Sequence, residues 1–314
     1  MRINDIIRNC RGPSFSFEII PPPRGRSIQD LIEIVEELMP IKPKWFDVTS
    51  HASSAYIQED TTGQLRRRTY KKRPGTLGIC GVIQNRFRID TVAHVLCLGF
   101  SREETEDALI ELNYLGVENL LLVRGDNPNY EKQYSKEKSL NRFAIDLVRQ
   151  VVDLREGKFL EDLAEPAKFD FCIGVAGYPE KHFEAANMDL DLKYLKDKVD
   201  AGANYIVTQM FFDNAPFLDF VARCRALGIT VPIIPGIKIL KTVQQLKSIP
   251  RTFHIDLPTE LVNQVLADPS HCEEIGANWA KKQMEDLINN GYNNLHLYVM
   301  NDAHVARKVI ETLI

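Results

Sequence analysis

Four times in this chain a helix-like stretch runs into a glycine and a strand-like apolar run follows within a few residues: Gly116 before NLLLV, Gly202 before NYIVT, Gly228 before TVPII and Gly291 before NLHLYV. A glycine just past a helix end adopts the left-handed conformation that turns the chain back, so each is a helix-to-strand connection. Repetition of that unit commits the chain to strands alternating with helices.

With the less punctuated cases, eight strands are expected near 14–20, 45–50, 91–97, 119–123, 170–176, 205–210, 231–235 and 294–299. Segments at helical spacing lie between them, at 28–39, 101–115, 142–155, 189–201, 215–227 and 301–313. Ser101 with Glu104 forms a capping box, and Pro216 fits the first turn of its helix. Eight strands with eight crossovers predict an α/β fold, a single-domain (β/α)8 TIM barrel over 1–314, since no linker divides the chain. Such a barrel needs about 250 residues, which leaves length for insertions near 51–90 and 250–290. A doubly wound sheet would need a glycine fingerprint after its first strand, where SFEIIPPPRG has prolines instead. Gly75, Gly78 and Gly81 follow the basic run RRRTYKKR rather than a strand, and no GKS or GKT phosphate loop occurs.

A net charge of −4 supplies no field for nucleic acid or an anionic membrane. The six cysteines form no CxxC pair, and no apolar run reaches membrane-spanning length, so a reduced, cytoplasmic protein is expected. No histidine or cysteine spacing suits a metal, and there is no GxSxG elbow for serine hydrolysis.

In a barrel of this kind the site is built at the C-terminal strand ends. Those ends carry Glu18, then Thr49 with Ser50 and His51, His94, Arg124 with Gly125 and Asp126, Tyr178 with His182, Thr208 with Gln209, Lys238, and His296 with Tyr298. Glu18 shares a strand face with Ser14 and Ser16, opposite Phe15, Phe17 and Ile19. An exposed edge-strand glutamate is the plain alternative to a buried acid. In LLLVRGD, Gly125 lets backbone approach a ligand, whereas an Arg124–Asp126 ion pair closing a loop is the bland reading. Lys238 suits a Schiff-base lysine or an ordinary rim residue. The run 66–73 reads as a solvated helix face or a contact to an anionic ligand such as a polyglutamate tail. Of Phe211 and Phe212, alternation assigns one to the core and one to a ring-binding pocket.

Taken in order, SFEIIPPPRG, FDVTSHASS, NLLLVRGDNP, VAGYPEKH, VDAGANYIVTQMFFDN and PIIPGIK resemble the methylenetetrahydrofolate reductase family in its compact bacterial form, from about Ile3 to the C-terminus. The resemblance implies a cytoplasmic flavoprotein barrel in which FAD carries hydride from NADH or NADPH to 5,10-methylenetetrahydrofolate. It also implies a homo-oligomer without the S-adenosylmethionine-binding regulatory domain. By resemblance Glu18 is the general acid of the folate step and Asp126 tunes the flavin and helps hold the folate. Thr49 and Gln209 would contact substrate, with Gln245 a further folate contact. FAD would be held by Ser50, Ala52, His94, Arg124, Gly125, Asp126, Ala144, Tyr178, His182, Ala185, Asp191, Tyr194 and Lys198. Phe143, Tyr194 and Asp302 stand where the family commonly has tyrosine, asparagine and arginine. Another flavin barrel, oxidising an amino acid, and a catalytically silent folate- or flavin-binding barrel are the competing readings.

Overall fold

The computed structural model describes residues 1–59, 61–125 and 138–314. Its strands are β1 (Ser14–Ile19), β2 (Trp45–Val48), β3 (Ser53–Glu59), β4 (Leu65–Lys71), β5 (Asp90–Leu96), β6 (Asn119–Val123), β7 (Cys172–Gly177), β8 (Tyr205–Met210), β9 (Ile233–Ile237) and β10 (Asn294–Met300). The helices are α1 (Ile3–Asn9), α2 (Gln29–Leu38), α3 (Thr76–Phe87), α4 (Arg102–Tyr114), α5 (Ala144–Arg155), α6 (Met188–Asp200), α7 (Asn214–Ala226), α8 (Gln245–Phe253), α9 (Thr259–Ala267), α10 (Cys272–Asn289) and α11 (His304–Glu311).

Eight parallel strands close in the order β1-β10-β9-β8-β7-β6-β5-β2, the (β/α)8 barrel expected from the alternation. Parallel strands of such a barrel are buried on both faces, which is why NLLLV and NYIVT read as continuous apolar runs. One face, with Phe15, Phe17, Leu120, Leu122, Ile173, Val175 and Ile206, packs into the core shared with the helices. The other fills the barrel with Trp45, Val92, Leu121, Tyr205, Val207 and Ile234.

Helix α1 adds Ile3 and Ile6 to that inner cluster. It is fastened at the N-terminal end of β6, where Ile3 N donates to Asn119 Oδ1 at 2.9 Å and Asn119 Nδ2 donates to Met1 O at 3.0 Å. Near the other end Gly236 makes room for a neighbour: a Cβ there would lie 2.3 Å from Thr208 O and 2.6 Å from the Tyr298 ring.

Several expectations are corrected. The strand expected at 231–235 begins at Ile233, because Pro232 has no amide hydrogen and only its carbonyl joins the ladder, accepting from Ile206 N. The basic run is not a helix face: Leu65–Lys71 is a strand of the β3–β4 hairpin, an antiparallel pair outside the barrel sheet. The rest of the first insertion is α3, whose Gly81 lies close against Leu115 beyond α4. The second is α8 to α10, packed with Met210, Phe212 and Leu240 in a third cluster. Both Phe211 and Phe212 are buried in the core, with Phe211 stacked on Phe217 at 5.0 Å, rather than divided between core and pocket.

Candidate active site

Glu18 lies near the C-terminal end of β1, at the level of Asp47 on β2 and Tyr298 on β10. Alternation turns it inward with Ser16, and only 8% of it is exposed. Around it lies a buried polar cluster drawn from four strands. Asp47, fully buried, accepts from Trp45 Nε1 at 2.9 Å and lies 3.3 Å from His94 Nε2. The same Nε2 is 3.7 Å from Glu18 Oε2. His296 Nδ1 is 2.9 Å from Ser16 Oγ and 3.7 Å from Asp47 Oδ1, while its buried Nε2 has no hydrogen-bond partner among the described residues.

Burial pushes the Glu18 carboxyl up to about 7; His94 pulls it down, Asp47 pushes it up and Lys238 pulls it down. Burial works against a charge on His94 too, but its hydrogen bond with Asp47 and the charges of Glu18 and Asp47 outweigh that, and its pKa rises. Burial lowers His296. Lys238 falls to about 8, through burial and the nearby Lys241. Its Nζ donates to Tyr298 O at 2.6 Å, and Tyr298 Oη donates to Thr208 O at 2.6 Å. The cluster therefore pairs an acid that keeps its proton near neutrality with a histidine poised to hold one. Among the described residues no group of three or more His, Cys, Asp or Glu side chains is arranged to hold a metal ion.

A cleft of about 470 Å³ opens at the ends of β6 and β7 and runs along the first turns of α5 and the body of α6. It gathers Arg124, Ala144, Tyr178, His182, Ala185, Asp191, Tyr194 and Lys198, eight residues singled out from the sequence, and adds Phe143, Glu184 and Asp197. Arg124 grips Glu184 with two contacts, Nη2 to Oε1 at 2.7 Å and Nη1 to Oε2 at 2.6 Å. Lys198 Nζ donates to Ala176 O at 3.0 Å, and burial lowers its pKa to about 8 against the pull of Asp191. Asp191 Oδ2 accepts from His182 N at 2.9 Å, and the His182 ring meets Tyr178 edge-on at 4.6 Å. Half-exposed Phe143 and Tyr194 add aromatic surface. The cleft thus sets two cations, three carboxylates and several aromatic faces around one elongated space, a lining with polar groups for a charged, hydroxylated ligand and flat surfaces for a ring.

The remaining candidates lie elsewhere. His94 sits in the barrel with Glu18 and Asp47 rather than on the cleft. Thr49 is buried, with Oγ1 3.1 Å from His51 Nε2 and its carbonyl accepting from Thr76 Oγ1. Ser50 and Ala52 follow in the half-buried loop after β2, and Gly125, at φ +85°, follows β6. Gln209 on β8 accepts from Met210 N through Oε1 at 2.9 Å. Gln245 uses its Oε1 on the backbone, accepting from Lys241 N at 2.6 Å and Thr242 N at 3.2 Å, while Lys241 pairs with Asp302 at 2.8 Å. Asp126 lies outside the described residues.

Sequence reasoning did not single out Asp47, Glu184 or Asp197. The signal for Asp47 was available: a lone carboxylate inside the apolar strand WFDV.

The sequence model of the family described as methylenetetrahydrofolate reductase matches residues 2–314. A 5,10-methylenetetrahydrofolate reductase of Salmonella typhimurium is 31% identical over 315 residues, covering 99% of this chain and 94% of that protein. Methylenetetrahydrofolate reductase 1 of Schizosaccharomyces pombe is 31% identical over 304 residues, covering 96% of this chain and 46% of that protein. The chain spans about half the length of the eukaryotic relatives it matches. A solved structure of a Clostridium thermocellum protein that binds two copies of 5-methyl-5,6,7,8-tetrahydrofolic acid superposes with a TM-score of 0.63 at 12% identity, covering 100% of this chain and 99% of that one. That likeness is one of fold.

Proposed function

The chain belongs to the methylenetetrahydrofolate reductase family, and from that premise we propose that it reduces 5,10-methylenetetrahydrofolate to 5-methyltetrahydrofolate, using bound FAD and NADH or NADPH as the reductant. The observation that carries this reading is Glu18, turned inward at the barrel mouth with its carboxyl pushed up to about 7, in a chain whose separate α5, α6, β6 and β7 segments meet in one cleft.

FAD held in the cleft would supply the hydride-transfer chemistry between the nicotinamide and the folate. The protein's share is binding, orientation and one proton. Lys198 and Arg124 hold negative charge in the cleft, with Arg124 sharing itself between ligand and Glu184. Asp191 accepts hydroxyl hydrogens, and Tyr178 and Tyr194 offer aromatic faces. Thr49 and Gln209 would take the polar edges of the nicotinamide and the pterin, and Asp126, by the family resemblance, would contribute its charge. Glu18 Oε2 gives its proton to the nitrogen that leaves carbon as the folate's five-membered ring opens. An acid near pH 7 suits that duty, since it carries the proton at working pH yet releases it readily.

The test is direct. Protein purified with FAD should be yellow, bleach anaerobically with NADH or NADPH, and regain its colour on adding methylenetetrahydrofolate. A protein that takes up no FAD, or whose bleached form ignores the folate, overturns the proposal.

A further inference from the structure

We infer that Asp47 is a positioning residue that keeps a reserve proton on His94 for Glu18, so that the acid is recharged from inside the barrel. The inference rests on Glu18 being the acid of the folate step proposed above.

Asp47 is fully buried, and a buried carboxylate is costly unless donors surround it. One donor is the Trp45 indole. The other is His94, whose Nε2 lies 3.3 Å from Asp47 and 3.7 Å from Glu18, so one N–H stands between two carboxyl groups. When Glu18 has given up its proton, the Nε2–H bond of charged His94 breaks and an O–H bond forms at Glu18 Oε2. This leaves neutral imidazole beside Asp47, and water at the mouth later returns a proton to the ring. Closing 3.7 Å to hydrogen-bond length takes a shift of only about 1 Å.

The other groups facing this pair are Lys238 on β9 and His296 and Tyr298 on β10. His296 and Tyr298 are held neutral by burial, and Lys238 opposes the proton on Glu18. Asp47 is thus the group that raises proton affinity at both members of the pair, which titrates as a unit.

Holoenzyme carrying Asp47→Asn is reduced anaerobically and mixed with methylenetetrahydrofolate between pH 6 and 9, and flavin recolouring is followed. The alkaline limb of that half-reaction should move down by about one pH unit relative to wild type, while nicotinamide-driven bleaching keeps the shape of its pH profile. A limb that stays in place overturns the inference. Because the variant removes a buried group, histidine resonances of the wild-type holoprotein are titrated as well, with His94 assigned from His94→Gln. A His94 that holds its proton to higher pH than free imidazole supports the reserve, and one already neutral at pH 6 sinks it. Absence of folate-driven recolouring in wild type would instead defeat the reading of function on which the inference rests.

Discussion

His94 Nε2 lies 3.7 Å from Glu18 Oε2, with each side chain about a tenth exposed or less. The separation is too long for a hydrogen bond and short enough for each charge to govern the other's proton.

Glu18→Gln keeps shape and polarity but has no acidic proton. Anaerobic bleaching by the nicotinamide should survive, while recolouring by methylenetetrahydrofolate should slow by about 10²- to 10⁴-fold. Equal loss in both half-reactions, followed by flavin absorbance, would remove Glu18 from the role of acid.

The same carboxyl ties stability to pH. Its folded pKa is raised from 4.5 to about 7, so the stability it contributes is present below pH 4.5 and lost as pH rises through 7. Glu18→Gln should therefore be more stable than wild type at pH 8 by up to about 3 kcal/mol, with the gap closing towards pH 5. Urea midpoints at the two pH values test this. An unchanged gap would mean that Glu18 is not the titrating group.

Lys198→Met removes the cleft's half-buried cation and leaves an apolar stem of similar length. FAD affinity should fall by about 10- to 100-fold, the worth of a charge-assisted hydrogen bond, whereas the apoprotein should melt no lower. Flavin fluorescence gives the first quantity and a thermal scan the second. A matching loss of apoprotein stability would point to a structural lysine.

Glu184→Gln releases Arg124 from the two contacts that occupy it. FAD should then bind about two- to fivefold tighter, in keeping with a partly exposed ion pair. Weaker binding by calorimetry would indicate that Glu184 orients Arg124 for the ligand rather than competing for it.

Gly236→Ala should cost at least about 2 kcal/mol, because the added methyl meets the Thr208 carbonyl and the Tyr298 ring. A thermal midpoint within a degree of wild type would show that β8 and β10 yield there.

The barrel strands were legible because glycine caps and apolar runs announce them; Gly116, Gly202, Gly228 and Gly291 each precede a barrel strand. The hairpin was not. Outside the barrel sheet a two-stranded ribbon needs no alternation of apolar and polar side chains, so exposed Arg66 and Arg68 carry no strand period. Helix α3 was obscured by Gly78 and Gly81, which break the helical pattern even though Gly81 serves close packing. At the site, parity placed Glu18 inward, but the company it keeps depends on strand register. Asp47 comes level with it, and His94 within reach of both, only after the barrel closes, and nothing local to WFDV foretells that. Gln245 shows what sequence cannot separate: an amide serves equally to cap a turn, and here its oxygen accepts from Lys241 and Thr242.

The small helix at the start of the chain has its own bearing on traffic. With Ile3 and Ile6 packed into the inner cluster and Asn119 bolting their helix down, the floor of the barrel is plugged among the described residues, which leaves the opposite mouth as the approach to Glu18.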